Sequence, residues 1–217
     1  VDLDDWLERL KAAASLDGKT ALNNGQSQWI TGADARQDGH RWRARACAIL
    51  TGIGTIRSDD PQLNVRGVET TRQPLKVVVD SRMELPLTAR VLEGTPMLLA
   101  VAEENADKAK ALQARGVEIL YLPNAEGKVD LNLLMKELAK RGINELHVEG
   151  GAGLNGALLQ AGLVDELLLY LAPCLMGHAA QGLFQLPELA NLDEKRVLKV
   201  TDLRQIGSDL RVLARFG

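Results

Sequence analysis

Two glycine-rich turns are the places in this sequence where a phosphate could bind. One covers Thr51–Thr55 and contains Gly52 and Gly54, and the other covers Glu149–Gly156. Because glycine has no Cβ, backbone N–H groups can approach an anion closely, and a helix that follows adds its positive N-terminal end. Either turn alone would equally suit tight strand-to-helix packing. Two such turns, far apart in the chain, favour a site for a pyrophosphate.

The second turn also matches the G-x-G-x-x-G pattern of dinucleotide-binding folds, through Gly151, Gly153 and Gly156. In those folds the pattern lies near the start of a βαβ unit, and an acidic residue ends the next strand. Here the next predicted strand, Leu167–Ala172, ends without a carboxylate. The chain is therefore not predicted to be a standard Rossmann domain.

Carboxylates and arginines adjoin the two turns. Asp59 follows the first turn and Glu149 opens the second, so either could take or give a proton above the sheet. Arg43 and Arg66 are candidate ligands of a substrate phosphate, with Ser27 as a further donor. Surface arginines are commoner than arginine ligands, and the residue types alone do not rank these two above their neighbours.

A hydroxyl and a guanidinium follow the predicted strand Lys76–Asp80. At the carboxyl end of a parallel strand, Ser81 and Arg82 could hold the 2′-phosphate that distinguishes NADPH from NADH. The Asp80 carboxylate would oppose that phosphate if it pointed inward, so we expect it to turn away.

No zinc site is predicted. His147 and Glu149, followed by Pro173 and Cys174, partly match the H-x-E…P-C-x-x-C pattern of zinc deaminases, but Gly177 stands where the last cysteine is required. No other cluster of histidine and cysteine supplies the missing ligand.

The elements that must position these residues alternate between strands and helices, which predicts an α/β fold with a mostly parallel sheet. Two extended runs joined by Gly207, Ser208 and Asp209 predict a terminal antiparallel hairpin. A polar loop is predicted at 17–31. The predicted strands are 8–15, 46–51, 76–80, 97–101, 117–122, 145–148, 167–172, 197–206 and 210–216, and the predicted helices are 33–45, 105–115, 130–141 and 154–161.

Composition excludes several classes of function. The 217 residues carry 26 basic and 29 acidic side chains, a net charge of −3, with only seven aromatics (3 Trp, 2 Tyr, 2 Phe), which argues against a nucleic-acid scaffold. No apolar run approaches a membrane span, and the acidic segment 1–5 does not fit a signal peptide. We therefore expect a cytosolic protein of one domain.

Several motifs occur in an order that closely resembles the reductase domain of the bacterial bifunctional riboflavin-biosynthesis family. The resemblance covers nearly the whole chain, and together the motifs are highly specific. They are Lys11–Ala21, Ser27–Thr31, Leu50–Thr55, Asp59–Arg66, Val148–Gly151, Val164–Leu167 and Ala172–Pro173.

The resemblance implies a dihydrofolate-reductase-like fold and a homodimer. It implies NADPH-dependent reduction of 5-amino-6-(5-phosphoribosylamino)uracil, which opens the ribose to a linear ribityl chain. In that family a zinc deaminase half normally precedes this domain. We expect residues 1–217 to form a single reductase domain, without that deaminase half.

The resemblance also implies roles for individual residues. Lys11 is expected to reach the ribose. The chemistry of the reaction adds the hypothesis that Asp59 or Glu149 stabilises a cationic imine or supplies a proton. The expected substrate ligands are Ser27, Arg43, Leu63, Arg66 and Glu149. The expected dinucleotide ligands are Ala13, Trp29, Thr55, Asp59, Ser81, Gly151, Ala152, Gly153, Leu154, Asn155, Gly156 and Ala157, with Arg82 added from its position beside Ser81.

Two other functions remain open at this point. A pterin reductase of the dihydrofolate type would share the fold but would not need arginines for a substrate phosphate. A non-catalytic nucleotide-binding module would keep the pocket without the chemistry. The presence of Arg43 and Arg66 counts against the first, and that of Lys11, Asp59 and Glu149 against the second.

Overall fold

The computed structural model describes residues 6–217, so the acidic segment 1–5 lies outside the described residues. The strands are β1 (Leu7–Ser15), β2 (Lys19–Ala21), β3 (Ala48–Gly52), β4 (Leu75–Val79), β5 (Met97–Val101), β6 (Val117–Tyr121), β7 (Glu145–Val148), β8 (Glu166–Ala172), β9 (Gln181–Gly182), β10 (Leu198–Ile206) and β11 (Asp209–Phe216). The α-helices are α1 (Ala33–Arg45), α2 (Ile53–Asp59), α3 (Ala106–Gln113), α4 (Leu131–Lys140) and α5 (Ala152–Gln160).

Nine of these strands form one sheet in the order β10-β11-β8-β1-β7-β3-β4-β5-β6. From β8 to β6 all neighbours are parallel. The C-terminal hairpin then adds β11 antiparallel to β8, and β10 antiparallel to β11. This confirms the predicted α/β class with its mostly parallel sheet and terminal hairpin. Because parallel strands end at the same edge, the segments after β1, β3, β4 and β7 converge there.

Three local features differ from the sequence prediction. Helix α2 starts directly after β3, so Asp59 ends a helix. The predicted polar loop contains β2, which pairs with β9. Helix α5 begins at Ala152, two residues before the predicted start and inside the second glycine turn. Glycine has a low helix propensity, so helices that start in glycine-rich segments leave a weak pattern in the sequence.

Side chains on β1 and β7 alternate between the two faces of the sheet. Leu10, Leu146 and Val148 belong to the apolar core under α4 and α5. The residues between them face α1: the Arg9 guanidinium lies 4.4 Å from the centre of the Trp42 ring on that helix. Lys11, His147 and Glu149 follow the same alternation and therefore share the α1 face.

Polar contacts hold α1 against the sheet, because the helix is rich in arginine and buries little apolar surface. Asp38 of α1 is buried and accepts hydrogen bonds from the Tyr170 hydroxyl at 2.6 Å and from Arg211 at 2.9 Å. Tyr170 lies on β8 and Arg211 on β11, so two strands fix the helix that carries Arg43.

Candidate functional site

A cavity of about 1790 Å³ opens where the parallel strands end. Both glycine turns border it, as does the segment 181–187, here called the strap. Most of the residues predicted to bind cofactor or substrate line this cavity. They are Lys11, Ala13, Ser27, Thr55, Asp59, Ser81, Arg82, Glu149, Gly151, Ala152, Gly153, Leu154, Asn155 and Ala157.

Five predicted ligands lie outside the wall of this cavity: Trp29, Arg43, Leu63, Arg66 and Gly156. Trp29 is 71% exposed and stacks with a guanidinium of α1. Leu63 is buried in the core beneath α2 and α3. The binding roles of Trp29, Leu63 and Arg66 stay predictions, whereas Arg43 and Gly156 have other contacts, described below.

Two glycines at the cavity, Gly54 and Gly151, have room for a side chain, so packing does not require glycine there. A Cβ on Gly54 would meet no atom within 4 Å, and one on Gly151 would lie 3.9 Å from Oγ1 of Thr55. Gly151 is also the N-cap of α5 and makes no side-chain cap bond. The two glycine turns therefore adjoin at the cavity, and neither glycine has a side chain that would cover the backbone there.

Other glycines of the second turn serve packing. A Cβ on Gly150 would approach Oδ1 of Asn155 to 2.6 Å, and one on Gly156 would collide with the carbonyl oxygen of Gln185 in the strap. The backbone N–H of Gln185 also donates to the backbone carbonyl of Ala152 at 2.9 Å. Gly156, predicted to hold the dinucleotide, thus allows the strap to cross α5.

Glu149 and Arg43 form the central ion pair of the site. Nε of Arg43 donates to Oε1 of Glu149 at 2.5 Å, and Nη2 donates to Oε2 at 2.9 Å. The remaining terminal nitrogen of Arg43 donates to the Asn64 carbonyl at 3.0 Å. Arg43 is therefore committed to protein groups, and it orients Glu149 rather than presenting its fork to a phosphate.

Lys11 completes the charged group, with Nζ 3.9 Å from Oε2 of Glu149. Burial lowers the pKa of Lys11 below its usual 10.5; Glu149 opposes this shift, and Arg43 adds to it. Burial alone would raise the pKa of Glu149, but Arg43 and Lys11, with His147, hold it well below its usual value. Glu149 is ionised at neutral pH, and Lys11 is a stronger acid than an ordinary lysine.

His147 is the site residue that the sequence prediction passed over. Its imidazole is fully buried, and Nε2 lies 3.3 Å from Oε1 of Glu149. In an extended chain, residues two apart share a face, so the spacing of His147 in β7 and Glu149 directly after it could have indicated this contact.

The turn after β4 also borders the cavity. The Asp80 carboxylate is buried and accepts from the backbone N–H of Leu85 at 2.7 Å. The Ser81 hydroxyl accepts from the backbone N–H of Val129 at 3.2 Å. The turn is thus fixed by its own contacts, and Ser81 and Arg82 face the cavity.

Within residues 6–217, no group of three or more histidine, cysteine, aspartate or glutamate side chains is arranged to hold a metal ion. None of the helices in this part of the chain is long and apolar enough to cross a membrane.

Comparison with known proteins identifies the family. Residues 9–212 match the family described as the RibD C-terminal domain. The chain belongs to this family. The riboflavin biosynthesis protein RibD of Haemophilus influenzae is 41% identical over an alignment 217 positions long, which covers 94% of this chain and 57% of that protein. The resemblance that the sequence motifs indicated is thereby confirmed.

Solved RibD structures match the whole fold. RibD of Acinetobacter baumannii, in its form 1, superposes with a TM-score of 0.86 at 36% identity, covering 98% of this chain and 58% of that one. The Thermotoga maritima diaminohydroxyphosphoribosylaminopyrimidine deaminase/5-amino-6-(5-phosphoribosylamino)uracil reductase has a TM-score of 0.82 at 27% identity, covering 98% of this chain and 57% of that one. The chain thus spans less than three-fifths of the length of these relatives.

Proposed function

We propose that this chain reduces 5-amino-6-(5-phosphoribosylamino)uracil to 5-amino-6-(5-phosphoribitylamino)uracil in riboflavin biosynthesis, with NADPH as reductant. The observation that carries the proposal is the charged group of Lys11, Glu149 and Arg43. It places a lysine ammonium with a lowered pKa beside a carboxylate that is ionised at neutral pH, at the cavity. The name of the Thermotoga maritima relative includes this reductase activity, which supports the same conclusion.

The residues present suit a dinucleotide. The bare backbone at Gly54 and Gly151, with the N-terminus of α5, suits a pyrophosphate, and Ser81 with Arg82 suits a 2′-phosphate. When bound, NADPH supplies the hydride. The protein's contribution is to bind, orient and activate the substrate.

The C1′ carbon of the ribosylamine accepts a hydride only after the ribose ring has opened. The bond from C1′ to the ring oxygen breaks, the nitrogen lone pair forms a C1′=N⁺ double bond, and the ring oxygen takes a proton. We assign that proton to Nζ of Lys11, whose lowered pKa makes it a better donor than an ordinary lysine. This adds proton donation to the ribose contact expected of Lys11.

Glu149 then serves as the stabiliser of the cation. Its low pKa keeps it negative, so it favours C1′=N⁺ by charge and is a poor proton donor. Asp59, the other acid considered from sequence, is an exposed residue at the end of α2. Of the two roles first left open to Glu149, we therefore retain only cation stabilisation.

Electrostatics support a phosphorylated substrate. Burial lowers the pKa of His40 to about 4; the positive charges of Arg43, Arg66 and Lys11 add to this shift, and Glu149 opposes it. The backbone N–H of Arg66 donates to Nδ1 of His40 at 3.2 Å, so these basic residues are close together. A region this rich in cations favours an anionic ligand, and we assign the phosphate to the side of the site where Arg66 lies.

The assay that tests the function follows the loss of reduced-nicotinamide absorbance when enzyme, NADPH and the phosphoribosylaminopyrimidine are mixed. A parallel reaction with dihydrofolate tests the pterin alternative. Turnover with the pyrimidine but not with dihydrofolate supports the proposal. Turnover with dihydrofolate but not with the pyrimidine, or no turnover with either substrate while NADPH still binds, would contradict it.

We also propose that the protein acts in the cytoplasm as a homodimer. One edge strand of the sheet, β10, carries the exposed apolar side chains Val200 and Leu203, which support a protein partner there. Light scattering on the purified chain tests the dimer: twice the chain mass supports it, and a monomer at all concentrations contradicts it.

A further inference from the structure

The unusual feature of His147 is that its buried imidazole has little to bond with. Nε2 is 3.3 Å from Oε1 of Glu149, a contact that falls short of hydrogen-bond geometry in this structure. Within residues 6–217, Nδ1 has no hydrogen-bond partner. A buried polar ring with one weak partner lowers stability relative to an apolar residue of similar size. A merely structural role therefore accounts poorly for a histidine here.

The surroundings of the ring define its charge. Arg9 of β1 and Ile49 of β3 are its register partners on either side. Glu149, which directly follows β7, contacts the ring, and Lys11 from β1 and Arg43 from α1 are paired with Glu149. Burial lowers the pKa of His147; Glu149 opposes this shift, while Arg43 and Lys11 add to it. The imidazole is therefore neutral at physiological pH.

We infer that His147 is a positioning residue, whose neutral ring donates from Nε2 to Glu149 and holds this carboxylate between Arg43 and Lys11. The inference rests on the proposed function and extends it by one residue. The partial positive charge of the N–H weakens the negative field of Glu149 at Lys11. Without that donor, Lys11 would hold its proton more tightly and donate it less readily to the substrate.

Three substitutions separate this role from packing. His147→Leu removes the donor at similar volume. His147→Gln restores a donor nitrogen at the same number of bonds from Cβ as Nε2, and His147→Asn places its nitrogen one bond too short. The first measurement uses ligand-free protein: NMR of the Lys11 side chain, assigned by its loss in Lys11→Met, and of the nitrogens of His147.

We expect the neutral ring of the wild type to carry its proton on Nε2. The pKa of Lys11 should rise by about half a unit in His147→Leu, equally in His147→Asn, and stay unchanged in His147→Gln. In turnover assays, kcat of His147→Leu should fall several-fold with an unchanged KM, and its alkaline limb should move to higher pH. His147→Gln should recover both properties. Thermal unfolding of His147→Leu should occur no earlier than that of the wild type.

A proton on Nδ1 of His147, or a Lys11 pKa that is the same in His147→Gln and His147→Asn, would overturn the inference. The comparison of these two variants remains valid even if His147→Leu fails to fold. These NMR results do not depend on substrate. An enzyme without turnover would thus refute the proposed function while leaving the coupling of His147 to Lys11 measurable.

Discussion

Arg43 and Glu149, which are 106 positions apart in the sequence, meet in a two-point ion pair with N–O distances of 2.5 and 2.9 Å. The pair joins α1 to the end of β7 and fixes the charge of the carboxylate beside Lys11. Two residues expected to bind substrate independently therefore act as one unit.

Arg43→Lys should lower kcat at least tenfold, since a lysine cannot reproduce the two parallel hydrogen bonds. The freed carboxylate loses its orientation, and its pKa rises. Steady-state kinetics measure the effect. Arg41→Lys, on an exposed side chain of the same helix, is the matched control and should change kcat by less than about twofold. Equal effects of the two substitutions would remove the pair from the mechanism.

Lys11→Met should lower kcat by roughly 10²–10⁴, the usual contribution of a positioned proton donor, without weakening NADPH binding measured by fluorescence. Asp59→Asn is the comparison, because Asp59 is the other candidate acid, and it should lower kcat by less than about tenfold. A larger loss in Asp59→Asn than in Lys11→Met would transfer the role of proton donor to Asp59.

The pH profile of the wild type should show an alkaline limb. Burial lowers the pKa of Lys11, so the protonated donor is lost as pH rises through a value below the usual 10.5. Measuring kcat across neutral and alkaline pH checks this. The limb should be absent from the residual activity of Lys11→Met, and a limb that persists there would belong to another group.

Glu8 should make the fold less stable as pH rises. Burial, with Asp165 second, raises the pKa of this fully buried carboxyl to about 9. The contribution of protonated Glu8 to the free energy of unfolding is fully present below its pKa in the unfolded chain, about 4. This contribution declines by up to ~1.4 kcal/mol per pH unit until about pH 9. Urea unfolding at several pH values should show this slope, which Glu8→Gln should abolish. Glu104→Gln, on the surface, should retain it.

Gly156→Ala should destabilise the fold by roughly 1–3 kcal/mol, the usual cost of overpacking, because its Cβ would displace the strap at Gln185. Thermal unfolding measures this. Gly39→Ala is the control, since a Cβ inside α1 at that position meets nothing within 4 Å and should stabilise the helix by about 0.5–1 kcal/mol. If Gly156→Ala were as stable as Gly39→Ala, the proposed role of Gly156 in packing would be wrong.

Strong local patterns made much of the fold predictable. The continuous apolar run of β5 and the whole of α1 were predicted to the residue. Helix α2 was not, because it has only seven residues, follows Gly52 and contains Gly54; its tertiary setting decides its conformation.

Most of the predicted site residues line the cavity, but the contacts between them could not be predicted from the sequence. Glu149 could be identified from its place after a strand, whereas its contact with Arg43 depends on how α1 lies across the sheet. Nor could the sequence separate Gly151, which leaves the cavity wall bare, from Gly156, which makes room for the strap. That difference depends on a segment about thirty positions further along the chain.

The most direct test of the central claim is the fate of the transferred hydrogen. With NADPH deuterated at the transferable position of its nicotinamide, the ribityl product should carry one deuterium at C1′, detected by mass spectrometry and located by NMR. A product without deuterium at C1′, or oxidation of NADPH without formation of the ribityl compound, would contradict the account.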